Sequence, residues 1–140
     1  TLGPGVFCCG LYQSQGFAMG FSVSDMALVG LIGAINNGWS RIFIGWFADK
    51  FNYKSSAILI LVVHIFAFAM LILACDNLYV YMVANMLLFW STGCHFVYVM
   101  VYYTKIMGQP TAGECYGFYF LSFALSNLLN FLMKMVYMSI

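Results

Sequence analysis

Residues 37–54 read NGWSRIFIGWFADKFNYK and join the end of one apolar helix to the start of the next through a short charged turn. Arg41 lies inside the first helix about one turn before Gly45, and Asp49 and Lys50 lie where that helix must end. A charge left without compensation in hydrocarbon costs about 2.5 kcal/mol or more. We therefore expect this charged cluster to have a specific role.

Composition defines the class of protein. The chain has 140 residues, of which 64% are hydrophobic and 6% are charged, and its mean hydropathy is +0.94. A soluble domain carries about 25% charged residues, and one signal peptide cannot account for several apolar runs. These values predict an integral membrane protein in contact with a lipid bilayer. The formal net charge of +1 provides no basic surface for nucleic acid.

The apolar runs predict an all-α polytopic transmembrane helix bundle that forms a single membrane domain, residues 1–140. Runs of about 20 residues suit helices that cross a hydrocarbon core of about 30 Å, and the period-two alternation of membrane strands is absent. Ser22 or Ser24 is expected to cap the second helix, with Asp25 in its first turn. Four full spans and part of a fifth are predicted at 1–12 (partial), 24–47, 56–74, 78–103 and 114–137.

The connections and the lysines predict the orientation. The predicted loops are residues 13–22, 48–55, 75–77 and 104–113. Lys50 and Lys54 lie in the second of these loops and Lys105 in the last, whereas the other two contain no Lys or Arg. Because basic loops stay on the cytoplasmic side, we expect 48–55 and 104–113 to be cytoplasmic. Since the chain begins at Thr1 with a shortened apolar run, we expect it to be part of a longer protein that supplies the rest of any site.

Small and polar residues mark a distinct face on three of the spans. In 24–47, small residues are spaced by four, and this spacing lets helix backbones approach closely. Arg41 shares that side and is expected to face protein or an aqueous cavity. Span 56–74 is almost entirely apolar apart from His64 and is expected to be peripheral. The small residues are Gly30, Ala34 and Gly38. The polar stripe of span 78–103 consists of Tyr81, Asn85, Thr92 and His95. That of span 114–137 consists of Tyr119, Ser122, Ser126 and Asn130.

The charged turn resembles the signature loop of the major facilitator superfamily of secondary transporters. The matching pattern is Asn37-x3-Arg41-x3-Gly45-x2-Ala48-Asp49-Lys50 with Lys54. Residues 16–22 and 107–117 further resemble loops in the carboxyl half of oxalate–formate-antiporter-like and monocarboxylate-transporter-like members. The chain departs from the family at Asn52 and Ser40, where relatives usually have Gly, although Asn tolerates a left-handed turn.

The resemblance implies transport of a small organic solute, with a carboxylate as the expected class, by alternating access. It implies that Arg41 holds the carboxylate, because a guanidinium offers two parallel hydrogen bonds. We place Asn37, Asn85 and Ser126 in the same substrate site. The alternative for Arg41 is a structural role in which its side chain reaches the cytoplasmic surface.

The resemblance also implies a conformational latch, in which the acid of the loop pairs with a basic residue in one state and releases it in the other. The latch residues are Gly45, Asp49, Lys50 and Lys54. The alternative is a solvated turn whose lysines only set the topology.

Other functions have weaker support in the sequence. The protein could instead transport a sugar, an amino acid or a drug, or it could be a redox subunit that binds haem or quinone. His64 and His95 are the haem-ligand candidates, but their predicted depths in the membrane differ. The five cysteines show no CxxC spacing and are expected to be free thiols. No enzymatic motif, metal or cofactor is predicted.

Overall fold

The computed structural model describes residues 2–73 and 77–138. Within these ranges the chain forms α-helices and no strand, so the predicted all-α class is confirmed. The helices are α1 (Leu2–Ala18), α2 (Val23–Lys50), α3 (Tyr53–Leu73), α4 (Leu78–Met107) and α5 (Gln109–Met138).

Three helices, α2, α3 and α4, are long and apolar enough to cross a membrane, judged among the described residues. The outer face of α3 exposes large apolar side chains, among them Ile58, Val62 and Ile65, as expected for a helix that contacts lipid. These lengths and compositions indicate membrane association. The predicted spans at 1–12 and 114–137, and with them the total number of passes, stay predictions.

Helix α4 lies at the centre of the bundle and packs against each of the other four helices. Its polar stripe is buried as expected, because Tyr81, Asn85, Thr92 and His95 all lie inside the protein. The apolar residues of α3 that face it are Ile60 and Ala67. The position of α4 places most buried polar groups on one central helix.

The two lysine-bearing connections are shorter than predicted. Helix α2 continues to Lys50 and α3 begins at Tyr53, so two residues connect them instead of the predicted 48–55. Between α4 and α5 only Gly108 is not helical, whereas 104–113 was predicted as a loop. Gly108 adopts a φ of +79°, which a glycine reaches without steric cost. Pro110 falls in the first turn of α5, where its missing N–H is not needed.

The amino-terminal part also differs from the prediction. Residues 13–18 belong to α1, although their polar composition predicted a loop over 13–22. Tertiary contacts explain the extension, since the Tyr12 carbonyl accepts a hydrogen bond from the Tyr81 hydroxyl and Gly16 lies against Met26. The predicted cap of α2 is confirmed at Ser22, which forms a capping box with Asp25.

The predicted connection between α3 and α4 lies largely outside the described residues, since Cys75 and Asp76 belong to the undescribed part. Helix α4 begins after Asn77, whose Oδ1 accepts hydrogen bonds from the backbone N–H groups of Tyr79 (3.0 Å) and Val80 (3.4 Å). Asn77 therefore satisfies two of the amide groups that a helix start leaves without partners.

Candidate functional site

Two asparagines of α2 bind the backbone of α4. The Asn36 amide donates a hydrogen bond to the Met86 carbonyl (2.8 Å), and the Asn37 amide donates one to the Phe89 carbonyl (2.9 Å). Hydrogen bonds between helices compensate polar groups that would be costly in an apolar environment. We call this contact between α2 and α4, which also includes Ser40 and Gly93, the amide seam.

Gly93 permits the close approach of the two helices. A Cβ atom at this position would lie 2.2 Å from Ser40 Oγ and 2.6 Å from the Asn37 carbonyl oxygen. Ser40 is fully buried; its hydroxyl donates to the Asn37 carbonyl (2.6 Å), and its own carbonyl accepts from the Cys94 thiol (3.6 Å). The seam therefore has no space for a larger residue at 93.

Of the three small residues predicted to form one buried face on α2, Gly30 packs against the Tyr12 side chain of α1, but the other two are not buried. Ala34 and Gly38 are exposed, and a Cβ at Gly38 would meet nothing within 4 Å. The buried stripe instead runs through Gly33 and Ser40, one residue away from the predicted one. It faces α4, where Gly93 lies against Ser40 and Asn37 and Gly33 lies against the Phe89 ring.

Arg41 lies at the edge of the amide seam and is exposed. One guanidinium nitrogen donates a hydrogen bond to Asn37 Oδ1 (3.3 Å), and the guanidinium carbon lies 5.7 Å from the centroid of the Phe96 ring. Among the described residues Arg41 forms no ion pair. Since a guanidinium has five N–H donors, most of its donors stay available. The Asn37 amide nitrogen binds the Phe89 carbonyl and its Oδ1 binds Arg41. Asn37 therefore positions Arg41 rather than offering a hydrogen-bonding group to a ligand.

The other two predicted substrate residues make their contacts elsewhere. Asn85 is buried, and its amide donates to the Tyr81 carbonyl of its own helix (2.9 Å). It precedes Phe96 by eleven residues, about 16 Å along a helix. Ser126 lines a cavity between α3, α4 and α5. The structure thus joins Arg41 to Asn37 by a hydrogen bond and places Asn85 at another level of the bundle, whereas the grouping of Ser126 with Arg41 stays a prediction.

Asp49 forms an ion pair at the end of the bundle that also carries Lys50, Lys54 and Lys105, which we call the charged end. Its Oδ1 lies 3.5 Å from Nζ of Lys105, and the two side chains are 75% and 48% exposed, respectively. Lys105 also donates a hydrogen bond to the Ala48 carbonyl (3.0 Å). A cation suits this position, because the last carbonyls of a helix lack internal partners and carry partial negative charge. One lysine therefore links the ends of α2 and α4.

The remaining latch residues make looser contacts. Lys50 Nζ lies 5.1 Å from the centroid of the Trp46 ring and 6.0 Å from that of Phe51. Lys54 is exposed in the first turn of α3. A Cβ at Gly45 would meet only Val97, at an ordinary contact distance of 3.9 Å. In this structure, Asp49 is thus the predicted latch residue that connects two helices.

The two histidines lie in contact, so the predicted difference in their depth was wrong. Their ring centroids are 6.0 Å apart. Helix α4 continues to Met107, so both histidines lie about 16–18 Å from the helix ends at the charged side.

His64 Nδ1 lies 2.8 Å from the Ser91 hydroxyl. A Cβ at Gly5 would lie 2.7 Å from His64 Nε2, which leaves no space for a porphyrin at that nitrogen.

Gly93 and Lys105 are functional candidates that the sequence argument did not select. A signal for Lys105 was present, because the lysine distribution had placed it on the same side as Asp49. Gly93 follows the polar pair Ser91 and Thr92, but its role depends on which residue of α2 faces it. That pairing is a tertiary property.

Comparison with known proteins identifies no relative. No protein-family model matches the chain, no curated protein matches it, and no solved structure matches it.

Proposed function

We propose that the chain is part of a secondary transporter of the major-facilitator type, which moves a small organic anion by alternating access. The observation that carries the proposal is the ion pair of Asp49 with Lys105, which connects the ends of α2 and α4 beside the charged turn. It supports the latch that the sequence pattern implies.

The exposure of the pair suits a contact that forms and breaks. Exposed ion pairs contribute about 0.2–1 kcal/mol, and a contact of that size biases an equilibrium between two conformations without locking either. The Ala48 carbonyl adds a second contact for the same ammonium group. Release of Lys105 would therefore remove both of its contacts with the end of α2.

The surroundings of Arg41 support an anionic substrate. Phe96 lies against the guanidinium and Asn37 holds one of its nitrogens, so the side chain is oriented before a ligand arrives. The donors that stay available suit a carboxylate, which binds a guanidinium through two parallel hydrogen bonds. Arg41 and Asn37 form the core of the proposed anion site.

The test is uptake of labelled monocarboxylates, dicarboxylates and neutral solutes by the complete protein in proteoliposomes. Arg41→Lys keeps the charge but removes the planar two-donor group. Loss of one charged hydrogen bond, about 1.5–3 kcal/mol, should weaken the apparent affinity for the anion about ten- to a hundredfold. The control is Glu114→Gln, because Glu114 is exposed on α5.

Two outcomes would contradict the anion site. One is uptake by Arg41→Lys that equals that of the unaltered protein, normalised to folded protein, which would leave Arg41 a structural role. The other is transport confined to neutral solutes, which would favour the alternative substrate classes, a sugar, an amino acid or a drug.

We further propose that the charged end is cytoplasmic, because Lys50, Lys54 and Lys105 all lie there and basic residues flank the cytoplasmic ends of spans. In a variant without native cysteines, an impermeant thiol reagent added outside should label Asn77→Cys but not Asn52→Cys. The reverse labelling pattern would overturn this orientation.

A further inference from the structure

Aromatic rings of α4 and α5 lie beside Arg41. The guanidinium carbon lies 5.7 Å from the centroid of the Phe96 ring, and that centroid lies 6.0 Å from the centroid of the nearly parallel Phe120 ring. The Tyr116 ring meets Phe120 edge to face, with centroids 4.8 Å apart, and Tyr116 is within electrostatic range of Arg41. We call Phe96, Tyr116 and Phe120 the aromatic cluster.

The aromatic cluster and Arg41 lie at similar depths in the bundle. Phe96 precedes the last residue of α4 by eleven residues and Phe120 follows the first residue of α5 by eleven, so each lies about 16 Å from the charged end. Arg41 precedes the last residue of α2 by nine residues, about 14 Å. The Tyr116 hydroxyl donates to the Phe96 carbonyl (3.3 Å), which connects α5 to α4 near this level.

The aromatic cluster leaves ring surface that a ligand can reach. The Phe120 side chain is 41% exposed, whereas Phe96 and Tyr116 are half-buried. A carboxylate that accepts two hydrogen bonds from a guanidinium holds an attached ring about 7 Å from the guanidinium carbon. Because aromatic rings attract one another at centroid distances of about 4.5–7 Å, such a ring can contact the aromatic cluster while its carboxylate stays on Arg41.

We propose that the anion of the Arg41 site is an aromatic monocarboxylate, whose carboxylate binds Arg41 and whose ring packs on Phe120, the exposed member of the aromatic cluster. One guanidinium balances one carboxylate, and Lys50 and Lys105 lie about 14 Å away along their helices, too far to hold a second carboxylate of a small anion. This inference rests on the proposed function, because it names the class of anion that the same site would take.

The test compares benzoate with cyclohexanecarboxylate, which has the same charge and a ring of similar size without π electrons. Uptake of labelled benzoate by the complete protein in proteoliposomes, in excess of protein-free liposomes, is measured against each unlabelled competitor. Cyclohexanecarboxylate should require an about two- to tenfold higher concentration than unlabelled benzoate, the effect of one aromatic pair. Equal competition by the two acids would overturn the proposal.

The contact with Phe120 is tested by Phe120→Leu, which keeps an apolar side chain but removes the ring. This variant should fold, because Phe120 is partly exposed, and the two competitors should become equal in it. Phe120→Tyr keeps a ring and should retain the difference. Phe118→Leu is the matched control and should also retain it, because Phe118 is 71% exposed on another side of α5. A difference of unchanged size in Phe120→Leu would overturn the proposal.

This inference and the proposed function fail in different ways. Uptake of labelled acetate without uptake of benzoate would overturn the aromatic ligand and leave an anion transporter. Uptake of no carboxylate at all would overturn both. Benzoate uptake that Arg41→Lys leaves unchanged would show that the aromatic acid binds away from Arg41, and would also overturn the proposal.

Discussion

The amide seam and the charged end join the same two helices, α2 and α4, by opposite physical means. In the seam, Asn36 and Asn37 donate to α4 carbonyls beside the fully buried Ser40. At the charged end, Asp49 and Lys105 form an ion pair whose two members are 75% and 48% exposed. The close packing of Gly93 against Ser40 allows the seam little displacement, whereas water can replace each partner of the ion pair.

The difference suggests a division of roles along one helix pair. A packed contact that includes buried hydrogen bonds has one preferred arrangement. An exposed ion pair is weak and screened by salt, so it can form in one conformation and break in another. Arg41 lies between the two regions, one turn beyond Asn37. The proposed transport would use such a combination, since the proposed substrate site must stay intact while one end opens.

The largest effect is expected at Gly93. Gly93→Ala places a Cβ against Ser40 Oγ and the Asn37 carbonyl, and overpacking of this kind costs about 1–3 kcal/mol. The measurement is the free energy of unfolding in detergent micelles by denaturant titration. Gly38→Ala is the matched control, because a Cβ at Gly38 meets nothing within 4 Å. Equal stability of the two variants would show that the seam is looser than described.

A smaller effect is expected when one seam hydrogen bond is removed. Asn37→Leu deletes the bond to the Phe89 carbonyl and should lower the free energy of unfolding by about 0.5–1.5 kcal/mol. Asn127→Leu is the control, because among the described residues the Asn127 amide donates only to the Phe123 carbonyl of its own helix (3.1 Å). If Asn127→Leu lowers the free energy of unfolding as much as Asn37→Leu, the hydrogen bond between α2 and α4 contributes no more than one within a helix.

The sequence predicted the parts of this comparison that depend on composition and local chemistry. Helical class, the capping box at Ser22 and the grouping of Lys105 with Lys50 follow from hydropathy, cap chemistry and charge distribution. Three residues of the polar stripe predicted on the last span, Tyr119, Ser122 and Ser126, line one cavity. Each of these features is contained within one helix or follows from the alternation of spans.

Features that depend on the pairing of helices could not be predicted in the same way. The buried face of α2 was displaced by one residue, because it depends on which residues of α2 meet α4, where Gly33 lies against Phe89 and Ser40 against Gly93. The loop predicted at 104–113 proved to be helical except at Gly108, so the depth inferred for His95 was also wrong. Asn85 was grouped with Arg41 by polarity, but it lies about 16 Å along α4 from Phe96, the ring that contacts Arg41. Such errors arise because rotation and register are set by contacts between distant segments.

The most direct test of the latch exchanges its charges. Asp49→Lys and Lys105→Asp are made singly and together in the complete protein, and the rate of labelled-anion uptake is measured in proteoliposomes. Because the pair is exposed, each single variant should lose less than about 1 kcal/mol of stability but most of its transport rate, with less change in substrate affinity. The double variant should recover part of the rate, since it restores an ion pair between the ends of α2 and α4 but not the hydrogen bond of Lys105 to the Ala48 carbonyl. Uptake by both single variants at the rate of the unaltered protein, or no recovery in the double variant, would contradict the account.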